Sequence, residues 1–263
     1  MAVTTWGPDA RPAAASITFD NLGEAADLGR GRWPEGEPLG EHPTVLEYLP
    51  KVLDVLAGKD LRATFFVESF NATLYPEALR GIAEDHDLGC HAYQHEAWGA
   101  LPEDEQRAIL GRSMDLFREI DVDVRGFRPP GGGLTGGSLP ILRAAGIEYV
   151  SAAGGAAGRT DGVALLPFRW DTIDGTYHFP HLRRPPSTVV LGPDDMLAAY
   201  RTVADETVAA HGYVSFIFHP MWLDTPDRLA TLARLVDQLR ADDRLWLASC
   251  GEVSDFLRAT SPR

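Results

Sequence analysis

Apolar positions along the chain follow two alternating rhythms. Short runs rich in β-branched and aromatic residues, several apolar on both faces, read as strands: "SITFD" (16–20), "RATFFVE" (62–68), "LGCHAY" (88–93), "RGFRPP" (125–130), "IEYVSA" (147–152), "ALLPFRW" (164–170), "YVSFIFHP" (213–220) and "RLWLAS" (244–249). Strands apolar on both faces are those of a parallel sheet covered by helices. Longer stretches with helical spacing lie between them. "EHPTVLEYLPKVLDVLAGKD" stops at Gly58, and "LPEDEQRAILGRSMDLFREID" opens with Pro and three acids, where the helix dipole favours negative charge. "SLPILRAAG", "GPDDMLAAYRTVADETVAAHG" and "TPDRLATLARLVDQLRADD" read alike, the last two opening on Pro–Asp. Strand–helix alternation repeated about seven times predicts a closed or nearly closed (β/α) barrel. A flat doubly wound sheet is the alternative, weakened because no G-x-G-x-x-G follows a strand. No repeat or long Pro/Gly linker divides the chain, so residues 1–263 are expected to form one domain. Residues 22–41 and 153–163 are expected to be Gly-rich loops, and long loops after barrel strands tend to build the active site.

Composition narrows the function. The chain carries 24 Lys+Arg against 38 Asp+Glu, a net charge of −14. Nucleic acid binding needs a basic surface for phosphates and that surplus points the other way, so no nucleic acid partner is expected, and polyanionic polymers are poor substrates. No run approaches the ~18 apolar residues of a membrane span. The first sixteen residues lack a basic start followed by an apolar stretch, so no secretory signal and a cytoplasmic setting are expected. Only Cys90 and Cys250 are present, which excludes a disulfide framework and suits that setting.

His91 and His95, four apart where a strand gives way to a loop, can point two imidazoles at one ion. Taken alone this is weak, because such pairs also arise on ordinary helices. Three other strand ends change the weighing: Asp20–Asn21 closes the first strand, Arg128 ends "GFRPPGGG" and His219 ends "SFIFHP". In a barrel all strand C-termini converge on one face, so an acid, a His pair, an Arg and another His meet there.

These stretches, taken in order, resemble the polysaccharide deacetylases, carbohydrate esterase family four with its nodulation-deacetylase homology domain. "TFDN" (18–21) resembles T-F-D-D, "HAYQH" (91–95) resembles H-[S/T]-x-x-H, "RPPG" (128–131) resembles R-x-P-[Y/F], and "FIFHP" (216–220) resembles the L-x-H motif. "ATFFV" (63–67) matches the strand that usually follows the first motif. The resemblance spans about residues 16–250. It implies a distorted (β/α)7 barrel and metal-dependent hydrolysis of an amide, usually an N-acetyl group. It makes Asp20 the general base that takes a proton from the attacking water, oriented by Arg128. His91, His95 and position 21 become ligands of a divalent metal, and His219 the general acid for the leaving amine. Zinc fits two His plus oxygen, as do cobalt, nickel and manganese. Gly131 is the one residue of "RPPG" able to give a backbone N–H to an oxyanion, since Pro129 and Pro130 have none.

Several positions depart from the family pattern. Position 21 is Asn: its amide oxygen can ligate but brings no charge, and it can equally serve as a turn residue that tolerates left-handed angles. Glu24 and Asp27 in the same loop are candidates to compensate. Ala92 replaces a Ser or Thr, and Gly131 replaces a groove aromatic. The Asp-rich turn that steadies the catalytic His is missing from "SAAGGAAG" (151–158), leaving Asp171 or Asp174 of "RWDTIDG" for that task. These departures, with the missing leader, resemble the family's small-molecule branch, similar to cyclic imidases and cofactor-independent allantoinases. Members of that branch often form oligomers, so a homo-oligomer is open. Trp33, Trp98, Trp170, Tyr177, Phe179 and Trp222 are expected at loops or strand ends, where aromatics line a pocket, though each alone can be packing. The leading expectation is a metal-dependent hydrolase of amide or imide bonds in a small molecule. The alternatives are an N-acetyl-oligosaccharide deacetylase and a metal-poor barrel repurposed for binding or for a lyase or isomerase step.

Overall fold

The computed structural model describes residues 3–183, 185–189 and 191–260. Ten strands among these residues form one curled sheet: β1 (Ala13–Asp20), β2 (Thr64–Val67), β3 (Asp87–Cys90), β4 (Gly126–Phe127), β5 (Tyr149–Val150), β6 (Gly158–Thr160), β7 (Val163–Leu165), β8 (Phe168–Ile173), β9 (Tyr213–Phe218) and β10 (Leu245–Leu247). Their order is β6-β7-β5-β4-β3-β2-β1-β9-β8, and β10 pairs with the lower half of β1. Every pairing is parallel except the β6–β7 hairpin. A parallel bridge between Ala153 and Phe168 joins the two ends, with Phe168 donating to the Ala152 carbonyl at 3.0 Å and accepting from Gly154 at 2.9 Å. The architecture is the expected distorted (β/α)7 barrel.

The strands form where both faces can be buried. All eight residues of β1 are buried, and Phe19 stacks on Phe65 of β2 with ring centroids 4.6 Å apart. The outer helices begin where the punctuation predicts. Helix Glu103–Glu119 carries Glu103, Asp104 and Glu105 in its first turn. Helix Pro193–Ala209 is closed by Asp195, which accepts from the Gly192 N–H at 2.8 Å. Helix Pro226–Arg240 is capped by the Thr225 hydroxyl, which accepts from the Arg228 N–H at 3.4 Å. No helix among the described residues is long and apolar enough to cross a membrane.

Several elements differ from the pattern reading. Helices Pro76–Asp85 and Cys250–Thr260 follow runs the rhythm left unassigned. The stretch expected as one helix from residue 41 begins as a wider π-type turn, Thr44–Tyr48, before Leu49–Gly58. The loop expected at 153–163 contains β6, turned into β7 by Asp161 (φ 52°) and Gly162 (φ 86°), a two-residue Asp–Gly hairpin connection. The single strand expected at 164–170 is two, because Pro167 has no N–H to extend the ladder. The second of these, β8, bulges: Phe168 pairs with Ser215 and Ile173 with Ile217, so Arg169–Thr172 loop out from β9.

The seam that closes the ring needs a glycine. Gly132 (φ +74°) donates to the Pro129 carbonyl at 2.8 Å, and a Cβ there would lie 2.7 Å from that of Ala153 and 3.0 Å from the Phe168 ring. Gly132→Ala should therefore cost about 1–3 kcal/mol of stability, seen as a lower denaturant midpoint at unchanged slope. Gly133→Ala, whose added Cβ meets only Gly99 at 3.7 Å, should stay near wild type.

Candidate active site

The C-terminal ends of the parallel strands deliver the chemistry to one pocket of about 720 Å³. Its floor includes Asp20 and Asn21 after β1, His91 and His95 after β3, Arg128 and Gly131 after β4, and His219 after β9. Trp170, Phe179 and Trp222 form its aromatic wall.

Arg128 is the organising residue. It is 1% exposed, and a buried guanidinium is tolerated only when paired and hydrogen-bonded. Its Nη1 donates to Asp20 Oδ1 at 2.5 Å and to Thr18 Oγ1 at 2.9 Å; its Nη2 donates to Ser151 Oγ at 2.8 Å and Ser215 Oγ at 3.2 Å. The Phe66 ring lies flat beneath it at 4.1 Å. Asp20, itself 6% exposed, is thus held as a carboxylate with one oxygen engaged.

The carbonyl of Arg128 also accepts from His91 Nδ1 at 2.8 Å. A carbonyl only accepts, so the proton sits on Nδ1 and Nε2 keeps its lone pair. Burial pushes His91 down to about 3, and the nearby Arg128 guanidinium adds to this. Burial, with the neighbouring His91, pushes His95 down to about 3 as well. Both imidazoles are therefore neutral ligands at neutral pH.

The third member of this cluster is Glu68, which the sequence reading overlooked. Ligand atoms of Glu68, His91 and His95 all lie within 4.8 Å of one another. Glu68 is fully buried one residue past β2; its Oε2 accepts from the Leu22 N–H at 3.2 Å and Asn71 Nδ2 at 3.4 Å, while Oε1 has no partner. Burial raises its carboxyl to about 8. An orphaned carboxylate oxygen beside two neutral imidazoles is a donor set that suits a divalent cation. The signal was present in "RATFFVE", whose last residue is an acid at the C-terminal end of a barrel strand.

Asn21 adopts the turn conformation and keeps its amide oxygen unengaged. Its backbone is left-handed (φ 63°), and its Oδ1 is buried without a hydrogen-bond partner while the residue lines the pocket. Glu24 is removed from candidacy: both its oxygens accept from the Tyr75 hydroxyl, at 2.7 and 2.8 Å, and Oε1 also takes the Gly40 N–H at 2.7 Å. Asp27 lines the pocket but lies outside the three-residue cluster. Ala92 (φ 63°) and His95 (φ 68°) are also left-handed, so backbone strain concentrates in the His loop.

The partner of His219 is Asp174. Its Oδ1 accepts from His219 Nδ1 at 2.8 Å and its Oδ2 from the His219 N–H at 2.8 Å, with Asp174 fully buried. The bulge in β8 makes this possible, because Asp174 N–H then bonds the Ile217 carbonyl at 3.0 Å beside the end of β9. Asp171 instead pairs with Arg169 on the surface. Trp222 packs on the His219 ring with centroids 4.1 Å apart. Gly131 (φ +77°) lines the pocket and its N–H makes no hydrogen bond within the described residues.

Three expected pocket aromatics lie elsewhere. Trp98 is fully buried against Phe127 at 4.6 Å, with Nε1 donating to Ser138 Oγ at 3.1 Å. Tyr177 is buried with its hydroxyl on the Asp171 carbonyl, and Trp33 packs on His42. In each case packing wins over pocket lining.

The family model described as polysaccharide deacetylase matches residues 9–150, more than half of the chain, and the chain belongs to that family. A peptidoglycan-N-acetylglucosamine deacetylase of Bacillus cereus is 35% identical over 89 residues, 33% of this chain and 32% of that protein. The chain thus aligns with about a third of that relative's length. Among solved structures, a putative polysaccharide deacetylase from Mycobacterium smegmatis superposes with a TM-score of 0.83 at 24% identity, covering 100% of this chain and 96% of that one. Puue allantoinase superposes with a TM-score of 0.78 at 15% identity, covering 98% and 94%. At these identities the likeness concerns the fold.

Cation binding should carry a proton signature. Below about pH 8 the metal-free Glu68 is protonated, whereas His91 and His95 already lack the extra proton down to about pH 3. Zinc binding near neutral pH should therefore release a proton from Glu68, affinity should climb with pH towards 8, and both effects should fade above it. Calorimetry in buffers of different ionisation enthalpy measures this. Asn71→Ala, which removes one of the two donors that orient Glu68 Oε2, should weaken zinc binding by ~10–100-fold.

Proposed function

We propose that the protein is a metal-dependent, deacetylase-like hydrolase of amide or imide C–N bonds in a small molecule. The observation that carries this reading is the meeting, at one pocket, of two separately buttressed proton-transfer groups with His91 and His95, whose ring nitrogens cluster with the buried Glu68 behind them. A divalent cation, zinc foremost, would be held by His91, His95 and Glu68 with Asn21 Oδ1 alongside, and when bound would polarise the scissile carbonyl and acidify water.

The chain's own groups account for the proton movements. Asp20, fixed by Arg128, takes a proton from the attacking water. The Gly131 N–H donates to the oxygen that gains charge as the carbonyl becomes tetrahedral. His219 delivers a proton to the leaving nitrogen from Nε2, because Nδ1–H is committed to Asp174. Trp222 and Trp170 limit the space around that nitrogen and help exclude water.

A small substrate is supported by the aromatic wall and by the cavity volume, which is in the range of small-ligand pockets. The free, buried Cys90 and Cys250 suit a reducing compartment, in keeping with a cytoplasmic metabolite.

Zinc-loaded protein should be assayed against N-acetyl sugars, cyclic imides, ureides and formamides. Asp20→Asn and His219→Gln should each lower kcat by ~10²–10⁴ with zinc content retained. Hydrolysis of none of these classes by zinc-loaded protein sinks the reading, and turnover of chito-oligosaccharides alone moves it to the polymer-directed alternative.

A further inference from the structure

We infer that the substrate carries an anionic group, a carboxylate or an oxyanion of similar geometry, and that Arg30 and Arg32 at the pocket rim bind it. This deepens the hydrolase reading and rests on it.

The argument begins with charge. A chain of net charge −14 would by default line a cleft with acids. Among the described residues, the ionised side chains lining this pocket are instead Asp20, Asp27, Arg30, Arg32 and Arg128. Asp20 and Arg128 neutralise each other in their buried pair, leaving two guanidiniums against one carboxylate. Among the described residues neither Arg30 nor Arg32 forms an ion pair, and the Arg32 side chain makes no hydrogen bond to any of them.

Both arginines stand on a built turn. Arg30, Gly31 and Arg32 donate main-chain bonds to Ala26, Leu28 and Asp27 at 3.3, 3.0 and 2.8 Å, and Gly31 (φ +62°) makes the bend. Gly29 seats the turn on the His loop so closely that a Cβ would fall 2.2 Å from the Gln94 carbonyl oxygen. That contact holds the Arg30 guanidinium against His95, 2.9 Å from Nδ1 and 3.3 Å from Nε2. A cation on His95 competes for the same ring nitrogens, so an occupied site frees Arg30.

Trp170, Phe179 and Trp222 supply apolar surface in the same pocket. The complement is a compact molecule with an apolar face and an anionic group placed near its scissile C–N bond, because Arg30 stands beside His95. Paired guanidiniums favour carboxylates because two parallel N–H donors match two oxygens.

The test uses ligands without any C–N bond, so it reads binding apart from turnover. Zinc-loaded full-length protein is titrated calorimetrically with 3-phenylpropionate and with the neutral 3-phenylpropanol. The carboxylate should bind on the order of tenfold tighter or more, with a preference that shrinks as salt rises. Arg30→Gln/Arg32→Gln, checked for unchanged zinc content and unfolding midpoint, should abolish the preference. Equal binding of the two ligands by wild type, no measurable binding of the carboxylate, or a preference that survives in the double variant each overturns the inference. Amide hydrolysis can be absent while the preference stands, so the two readings fail separately.

Discussion

The buried pair of Arg128 and Asp20 is the constraint around which the barrel is arranged. A guanidinium at 1% exposure requires partners, and five different strands or strand ends supply hydrogen-bond acceptors for both Nη atoms and two flanking rings, while Nε stays unpartnered. Thr18 and Asp20 come from β1, Phe66 from β2, Ser151 from the end of β5, Phe168 from β8 and Ser215 from β9. Removing one partner of such a pair typically costs ~3–5 kcal/mol because a lone charge remains in a low-dielectric core. The same residue then spends its carbonyl on His91, so a single side chain and its backbone fix both Asp20 and one imidazole.

Much of this was legible in the sequence because barrel topology turns strand ends into neighbours. Asp20, His91, His95, Arg128 and His219 each terminate an apolar run, and all five line one pocket. Two matters were not legible. Choosing Asp174 over Asp171 depends on the β8 bulge, and a period-two pattern cannot show where extra residues loop out. Trp98 and Tyr177 reach the core through chain reversals that only the folded chain specifies. Glu68 is a different case: an acid closing "TFFV" stands at a strand end as Asp20 does, whereas the motif resemblance points to position 21.

Asn at position 21 and an acid at position 68 set the electrostatics around Asp20. At position 21 a second acid would sit next to Asp20 on the same turn and repel it. At Glu68 the carboxyl lies at the end of the neighbouring strand, hydrogen-bonded by Leu22 and Asn71 and kept protonated by burial below about pH 8. The repulsion from Asp20 is then a minor influence on Glu68 compared with burial. Position 21 becomes free to hold a left-handed turn with a neutral oxygen, which Asn does more readily than most residues.

The ring is unevenly sewn. β1 and β9 share six paired positions, whereas the seam between residues 152–154 and Phe168 is held by two main-chain hydrogen bonds and one bridge. Local opening is drawn from the places with the fewest such bonds, so the easiest breathing motion of the barrel lies along this seam. Phe168 belongs to the seam, to the pocket lining and to the rings flanking Arg128. Widening there enlarges the cleft from the side opposite β2 and β3, leaving Glu68, His91 and His95 on an undisturbed ladder. The barrel thus has a compliant edge for admitting molecules of different girth and a stiff edge for chemistry.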